Sequence, residues 1–251
     1  MKEAVVRRLV ELNYQFYQTF GEAFAISRRR VQPGVLKILA EIPSHGHWLD
    51  LGCGSGSLAQ VWVNQQRSGS YHGLDFSQVL LDEAQKNIRK AIIPDGLDVQ
   101  FIQTDLLSSN WQASLARQNY DGIVSFAVLH HIPSAKKRTA LLKQARSLLA
   151  QGGLLIHSNW EFQNSPKWLA RIQPWSLVGL SDQDVEAGDT LLDWRFALVD
   201  QLEAIGYRYI HQFNTQEWQE LADSTGFEIS SRFSSDGQGG RLALYQVWQA
   251  V

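Results

Sequence analysis

The chain has 251 residues, 44% hydrophobic and 19% charged, enough to bury a sizeable core in one large domain or two small ones. A single cysteine, Cys53, excludes an intrachain disulfide, a cysteine-ligated iron–sulfur cluster with its radical chemistry, and a two-cysteine attack on a pyrimidine ring. The net charge of −2 weighs against an unaided grip on nucleic acid, and no apolar run nears the ~20 residues of a membrane span. Glu3 comes early and no long apolar stretch follows it, so the N-terminus does not read as a secretory signal and a reducing, cytoplasmic setting is expected. Charge is uneven: residues 1–40 hold seven Lys/Arg against three Glu, a basic segment on an acidic remainder.

In chain order, Val5, Leu9, Leu12 and Phe16 fall at helical spacing, and Gln32-Pro33 opens a second helix carrying Val35, Leu36 and Leu39. His47–Leu51 reads as a strand, followed by a glycine-rich turn and a helix with Leu58, Val61 and Trp62 inward. Ser70–Asp75 is the next strand, and Ser77 caps the helix behind it. Strands are predicted at Leu97–Gln103 and Tyr120–Phe126, a helix at 135–149, and a strand at Leu154–Asn159 after Gln151-Gly152-Gly153. This alternation predicts an α/β fold, a doubly wound and mostly parallel sheet whose ligand lies beyond the carboxyl ends of the strands. Residues 161–210, rich in Trp, break the rhythm and are read as a helical cap insert. A helix beginning near Asn214 and stopping at Gly226 follows, then two closing strands. The whole is expected to be one domain: an N-terminal helical segment (1–45), a cofactor-binding core (46–160), the insert (161–210) and a C-terminal helix and hairpin (211–251).

The decisive run is Asp50-Leu-Gly52-Cys-Gly54-Ser-Gly56. Glycines at alternate positions let backbone N–H groups approach a ligand, and the helix behind them adds a positive partial charge. Asp50 would repel a pyrophosphate but hold an ammonium. The run resembles the first motif of class I S-adenosylmethionine methyltransferases, whose cofactor ends in an amino acid. The resemblance implies a Rossmann-like sheet of seven strands ending in an antiparallel hairpin. Asp75, at the end of the second strand, can accept both ribose hydroxyls or cap the next helix. The family's pattern puts the adenine amino group on Asp105 and its ring on Leu106, with Ala127 as a wall along the methionine arm.

The acceptor is less legible. His130 and His131 follow the fourth strand, and only one of two adjacent side chains is expected to enter the pocket; His130 is favoured, as a base or as a donor to an anion. No metal-ligand spacing is present. The pattern Tyr17-x6-Phe24-x3-Arg28, with Val-Leu-His130-His131 and Gly153-Leu-Leu-Ile156, resembles the tRNA (5-carboxymethyluridine) methyltransferase family. Members esterify a carboxylate on a wobble uridine, usually with a small zinc-containing activator protein. That resemblance implies tRNA as acceptor and no need of a base. Arg28 is assigned to the cofactor carboxylate or the substrate, and Arg29, Tyr17, Trp160 and Trp194 to substrate. Arg195 is taken with His130 as catalytic. Two other readings stand beside it: an O-methyltransferase for a small carboxylic acid or phenol, favoured by the acidic total and aromatic insert, and a non-catalytic cofactor-binding module.

Overall fold

The computed structural model describes residues 1–27, 30–196 and 204–251. Arg28 and Arg29 lie outside the described residues, as does the side chain of Phe24. The first half runs α1 (Glu3–Ser27), α2 (Pro33–Glu41), β1 (His45–Leu51), α3 (Ser57–Asn64), β2 (Ser68–Asp75), α4 (Gln78–Ile88), β3 (Leu97–Gln103) and β4 (Tyr120–Phe126). The second runs α5 (Ala135–Leu148), β5 (Leu149–Trp160), α6 (Pro166–Leu169), β6 (Ile172–Gln173), β7 (Asp189–Phe196), β8 (Ala204–His211), α7 (Thr215–Thr225), β9 (Phe227–Ser235) and β10 (Ala243–Ala250).

Seven strands form one sheet in the order β3-β2-β1-β4-β5-β10-β9. β1 to β5 are mutually parallel, and β10 runs antiparallel to both β5 and β9. The doubly wound reading therefore holds. One face packs Leu141, Leu142 and Leu148 of α5 and Leu221 of α7 against Leu49, Ile123 and Leu155. The other packs Ile38 and Leu39 of α2 and Trp62 of α3 against Trp48, Val124 and Ile156. The expected caps are in place: Ser77 Oγ accepts from Leu80 N–H, and Asn214 Oδ1 accepts from Glu217 N–H at 2.9 Å. Gly226 ends α7 in the left-handed region at φ +81°.

The insert differs from expectation. It is not a helical cap but a three-stranded antiparallel sheet, β6-β7-β8, with only short helical pieces around it. Leu191 and Tyr209 join Val5, Leu9 and Leu12 of α1, while Leu192 and Ile210 join Phe162. Both faces of this small sheet are covered, so its strands carry no alternation that would separate them from helix. α1 thereby packs against both β8 of the insert and α4.

Candidate active site

A cavity of about 870 Å³ opens at the carboxyl ends of β1 to β5, between the parallel sheet and the insert. That lies in the upper part of the range of small-molecule sites, about 300–1,000 Å³. The turn after β1 forms its floor. Gly52 and Cys53 N–H both donate to Leu74 O, at 2.8 and 2.9 Å, pinning the turn to β2. Gly52 has φ +78°, and a Cβ there would lie 2.4 Å from Val128 Cγ2. Gly54 has φ +55° and nothing within 4 Å of its would-be Cβ, because that side is open to the cavity. Gly56, expected to meet the ligand, does not line the cavity. It caps α3, and a Cβ on it would sit 2.8 Å from Ala84 Cβ, so its bareness serves the packing of α3 on α4.

Two buried carboxyls enclose this floor. Asp75 Oδ2 accepts from Gly54 N–H and Oδ1 from Ser77 N–H, each at 2.9 Å. Burial pushes Asp75 above the ordinary carboxylate value, against the lowering effect of those bonds. Asp50 accepts a short hydrogen bond from the Tyr71 hydroxyl. Burial lifts it to about 7, the Tyr71 bond opposing and Asp75 adding to the rise. Two acids in one apolar wall favour a cationic ligand group. The Cys53 thiol is pushed well up by burial and by both acids, and packs beneath the turn against Gly73 as an inert side chain.

Asp105 and Leu106 line the cavity beyond β3. Asp105 is exposed, and its Oδ1 accepts from Leu107 N–H at 2.9 Å, so one oxygen shapes the local turn. Ala127 lines it beyond β4 at φ +59°, its N–H held by Ser158 O at 2.9 Å. His130 and His131 both reach the lining, contrary to expectation. They sit on a 3₁₀ turn, Leu129–His131, rather than on extended chain, so successive side chains are not thrown to opposite sides and their ring centroids are 4.4 Å apart. His130 is buried and stacks on Trp160, with centroids 5.7 Å apart. Tyr17 also lines the cavity.

The structure corrects two more assignments. Arg195 is not in the cavity: its side chain is 45% exposed and its Nε donates to Asp193 Oδ2 at 3.0 Å. Trp194 packs on Phe16 and Phe20 outside the lining. Besides Arg30, the arginine that lines the cavity is Arg208 of β8. It is buried, with its guanidinium 4.8 Å from the Phe16 ring and 5.1 Å from the Trp160 ring. Gly206, two residues earlier on the same strand face, leaves the room that Phe16 and Phe20 fill. The run Arg208-Tyr-Ile-His211 drew notice in the sequence, but nothing there said which face of the strand meets the cavity. Trp168 of α6 and Phe76 after β2 also line the cavity and carried no signal.

Residues 49–155, the span from β1 into β5, match the profile of a family described as a methyltransferase domain. This core is a methyltransferase domain, of the S-adenosylmethionine-dependent kind. A methyltransferase from Clostridium acetobutylicum superposes with TM-score 0.67 at 15% identity, over 93% of this chain and 98% of that one. The CcbJ methyltransferase of Streptomyces caelestis gives the same TM-score over 86% and 88%. A fission-yeast protein named tRNA (carboxymethyluridine(34)-5-O)-methyltransferase is 26% identical over 87% of this chain and 90% of its own length. The same activity is named for ALKBH8 of Macaca fascicularis, 27% identical over 61% of this chain but only 20% of that much longer protein. Bare Gly54 facing the cavity and the paired acids suit the methyltransferase cofactor. No helix among the described residues is long and apolar enough to cross a membrane, and no group of three metal-ligating side chains occurs among them.

Proposed function

We propose that this methyltransferase esterifies a carboxylate, and that the acceptor is a carboxymethylated wobble uridine of tRNA. The observation that carries the reading is Arg208, a buried guanidinium in the cavity wall and a natural clamp for an anionic acceptor. The names of the relatives supply the tRNA half. Asp50 is proposed to hold the ammonium of the cofactor, Asp75 its ribose hydroxyls, Asp105 and Leu106 its adenine, and the Ala127 backbone its methionine arm. Arg28 and Arg29, outside the described residues, remain candidates for the cofactor carboxylate and the substrate.

The cofactor supplies an electrophilic methyl on a sulfonium. A carboxylate oxygen forms the new C–O bond as the C–S bond breaks, and the electron pair stays on a neutral sulfur. A carboxylate is already ionised at neutral pH, so no side chain needs to remove a proton. The protein's work is alignment and exclusion of water, worth up to about 7–11 kcal/mol where reactants are held in line. Arg208 fixes the acceptor, and His130, stacked on Trp160, shapes the wall rather than acting as a base.

Incubation with a radioactive methyl donor and total tRNA, with and without a small zinc-containing activator protein, tests this. The expected label is removed by nuclease and released by mild alkali, as an ester must be. Alkali-stable label would refute esterification. Alkali-labile label surviving nuclease would favour the small-molecule reading, which the net charge of −2 supports.

A further inference from the structure

α2 begins without a cap of its own. Its first residue, Pro33, has no N–H to give, and Gln32 before it offers no side-chain bond to the free N–H groups of the first turn. The acceptor comes from the far end of the chain. Asp236, in the loop that joins β9 to β10, accepts from Gly34 N–H through Oδ1 at 3.0 Å and from the Tyr245 hydroxyl through Oδ2 at 2.6 Å. Asp236 is buried and stands in the left-handed region at φ +67°, which aspartate tolerates better than most residues. Gly34 is bare because a Cβ would run into the Tyr245 ring, so the first turn of α2 sits directly on that ring. Burial and the Asp236 carboxylate both push the Tyr245 hydroxyl up, so it remains a donor.

We infer that Asp236 is a positioning residue for the cofactor cavity: from the hairpin it holds the first turn of α2, and with it Arg30, Val31 and Gln32, in the cavity wall. The inference rests on the cavity being that of the methyl donor. Those three residues and Val35 line it from the α2 side, Asp236 and Tyr245 from the hairpin side. Tyr245 also lies against Phe126, with ring centroids 6.0 Å apart, so the joint reaches the lining at the end of β4. Both oxygens of Asp236 are engaged within the protein, so it acts through α2 and touches no reacting atom. Without the carboxylate, Gly34 N–H and the Tyr245 hydroxyl would be buried and unsatisfied, and the start of α2 would shift or fray to reach water.

The test is amide hydrogen exchange of the full chain beside calorimetry of S-adenosylhomocysteine. In the wild type the ligand should slow exchange over residues 31–36. Asp236→Gly keeps the left-handed backbone and removes the carboxylate. Exchange over 31–36 should then rise by about fivefold or more, the worth of a lost cap, and affinity should fall by a similar factor. Asp236→Asn keeps an acceptor for Gly34 N–H and can donate to the Tyr245 oxygen, so both readouts should stay within about twofold of the wild type. A lower melting temperature with unchanged affinity in Asp236→Gly would mean that Asp236 only closes the fold, and overturns the inference. So does a wild type that binds the ligand without protecting residues 31–36. If Asp236→Gly does not fold, Tyr245→Phe decides: it removes one of the two bonds and should speed the same exchange and weaken the ligand, and no change in affinity counts against the inference. A wild type that binds no S-adenosylhomocysteine at all would contradict the cofactor reading, and the role of Asp236 with it.

Discussion

The Tyr17 hydroxyl lies 3.1 Å from Nε2 of His131. The other ring nitrogen of His131 is 3.0 Å from the Tyr209 carbonyl, which can only accept. Asn13 Nδ2 is farther, at 3.5 Å, and both its hydrogens have carbonyl partners, His131 O at 3.3 Å and Tyr209 O at 3.2 Å. The network therefore assigns the ring proton to Nδ1 and makes Tyr17 the donor to Nε2. Such a pair could relay a proton from a hydroxyl acceptor, whereas an ionised carboxylate makes no use of it. Tyr17→Phe is expected to lower stability by about 1 kcal/mol and turnover on tRNA by less than about tenfold. A loss of about 10²–10⁴ in kcat would make Tyr17 a base and contradict an ionised acceptor.

In its proposed role as partner of the cofactor's ammonium, Asp50 makes cofactor binding depend on pH. Its carboxyl is lifted to about 7, chiefly by burial, and holds an ammonium only when ionised. Affinity for S-adenosylhomocysteine should fall up to about tenfold per pH unit below 7 and level off above it, with a proton released on binding. Tyr71→Phe removes the bond that lowers Asp50, so the midpoint should move to higher pH. A flat calorimetric profile from pH 5.5 to 8 would remove Asp50 from the ammonium site.

Away from the cavity, His211 is gripped at both ring nitrogens, by Asp189 Oδ1 at 2.7 Å and Glu217 Oε1 at 2.9 Å. Burial pulls its pKa down, but the two carboxylates outweigh it and hold it above the ordinary histidine value. A raised histidine stabilises the fold fully below its unfolded value of 6.5 and stops doing so as pH rises through its folded value. The melting temperature should therefore decline above pH 6.5. His211→Gln should abolish that decline and cost more at pH 6 than at pH 9, because only the protonated ring gains from both Asp189 and Glu217. An equal loss at both pH values would mean that the ring is neutral.

The glycines of the turn should separate fold from function. Gly52→Ala forces a Cβ against Val128 Cγ2 in a left-handed conformation and should destabilise the protein by more than the roughly 1–2 kcal/mol of that conformation. Its effect on the ligand is indirect, because the intruding atom meets Val128 and not the open cavity. Gly54→Ala has no protein atom within 4 Å to strike and should cost only the backbone strain, yet place a methyl in the cavity and weaken cofactor binding. Thermal melts beside calorimetry would show the contrast; equal melting temperatures with equal affinities would reverse it.

The parallel core was legible because strand-length segments alternate regularly with helices that keep a 3.6-residue apolar stripe. The same local logic placed Asp50, Asp75, Asp105, Leu106 and Ala127 at strand ends, where the cavity is. The insert was not legible. Its sheet is covered on both faces by α1 and by the Phe162 cluster, so Leu191-Leu192 and Tyr209-Ile210 are buried side by side and read as neither period. That misreading also put Trp194-Arg195 in the site in place of Arg208, since only the pairing of Trp194 with Gly206 and of Leu192 with Arg208 fixes which face points inward. Gly56 looked like its neighbours, and only its contact with Ala84 assigns it to packing.

The central claim is that carboxylates at the strand ends, above all Asp75, cradle the methyl donor. Calorimetry of S-adenosylhomocysteine with the wild type and Asp75→Asn tests it most directly. One saturable site is expected in the wild type, with at least about tenfold weaker binding in the variant and a stability loss of no more than about 1–3 kcal/mol, since the amide accepts from only one of the Gly54 and Ser77 N–H groups. No heat from the wild type, or equal affinity in both proteins, would contradict it.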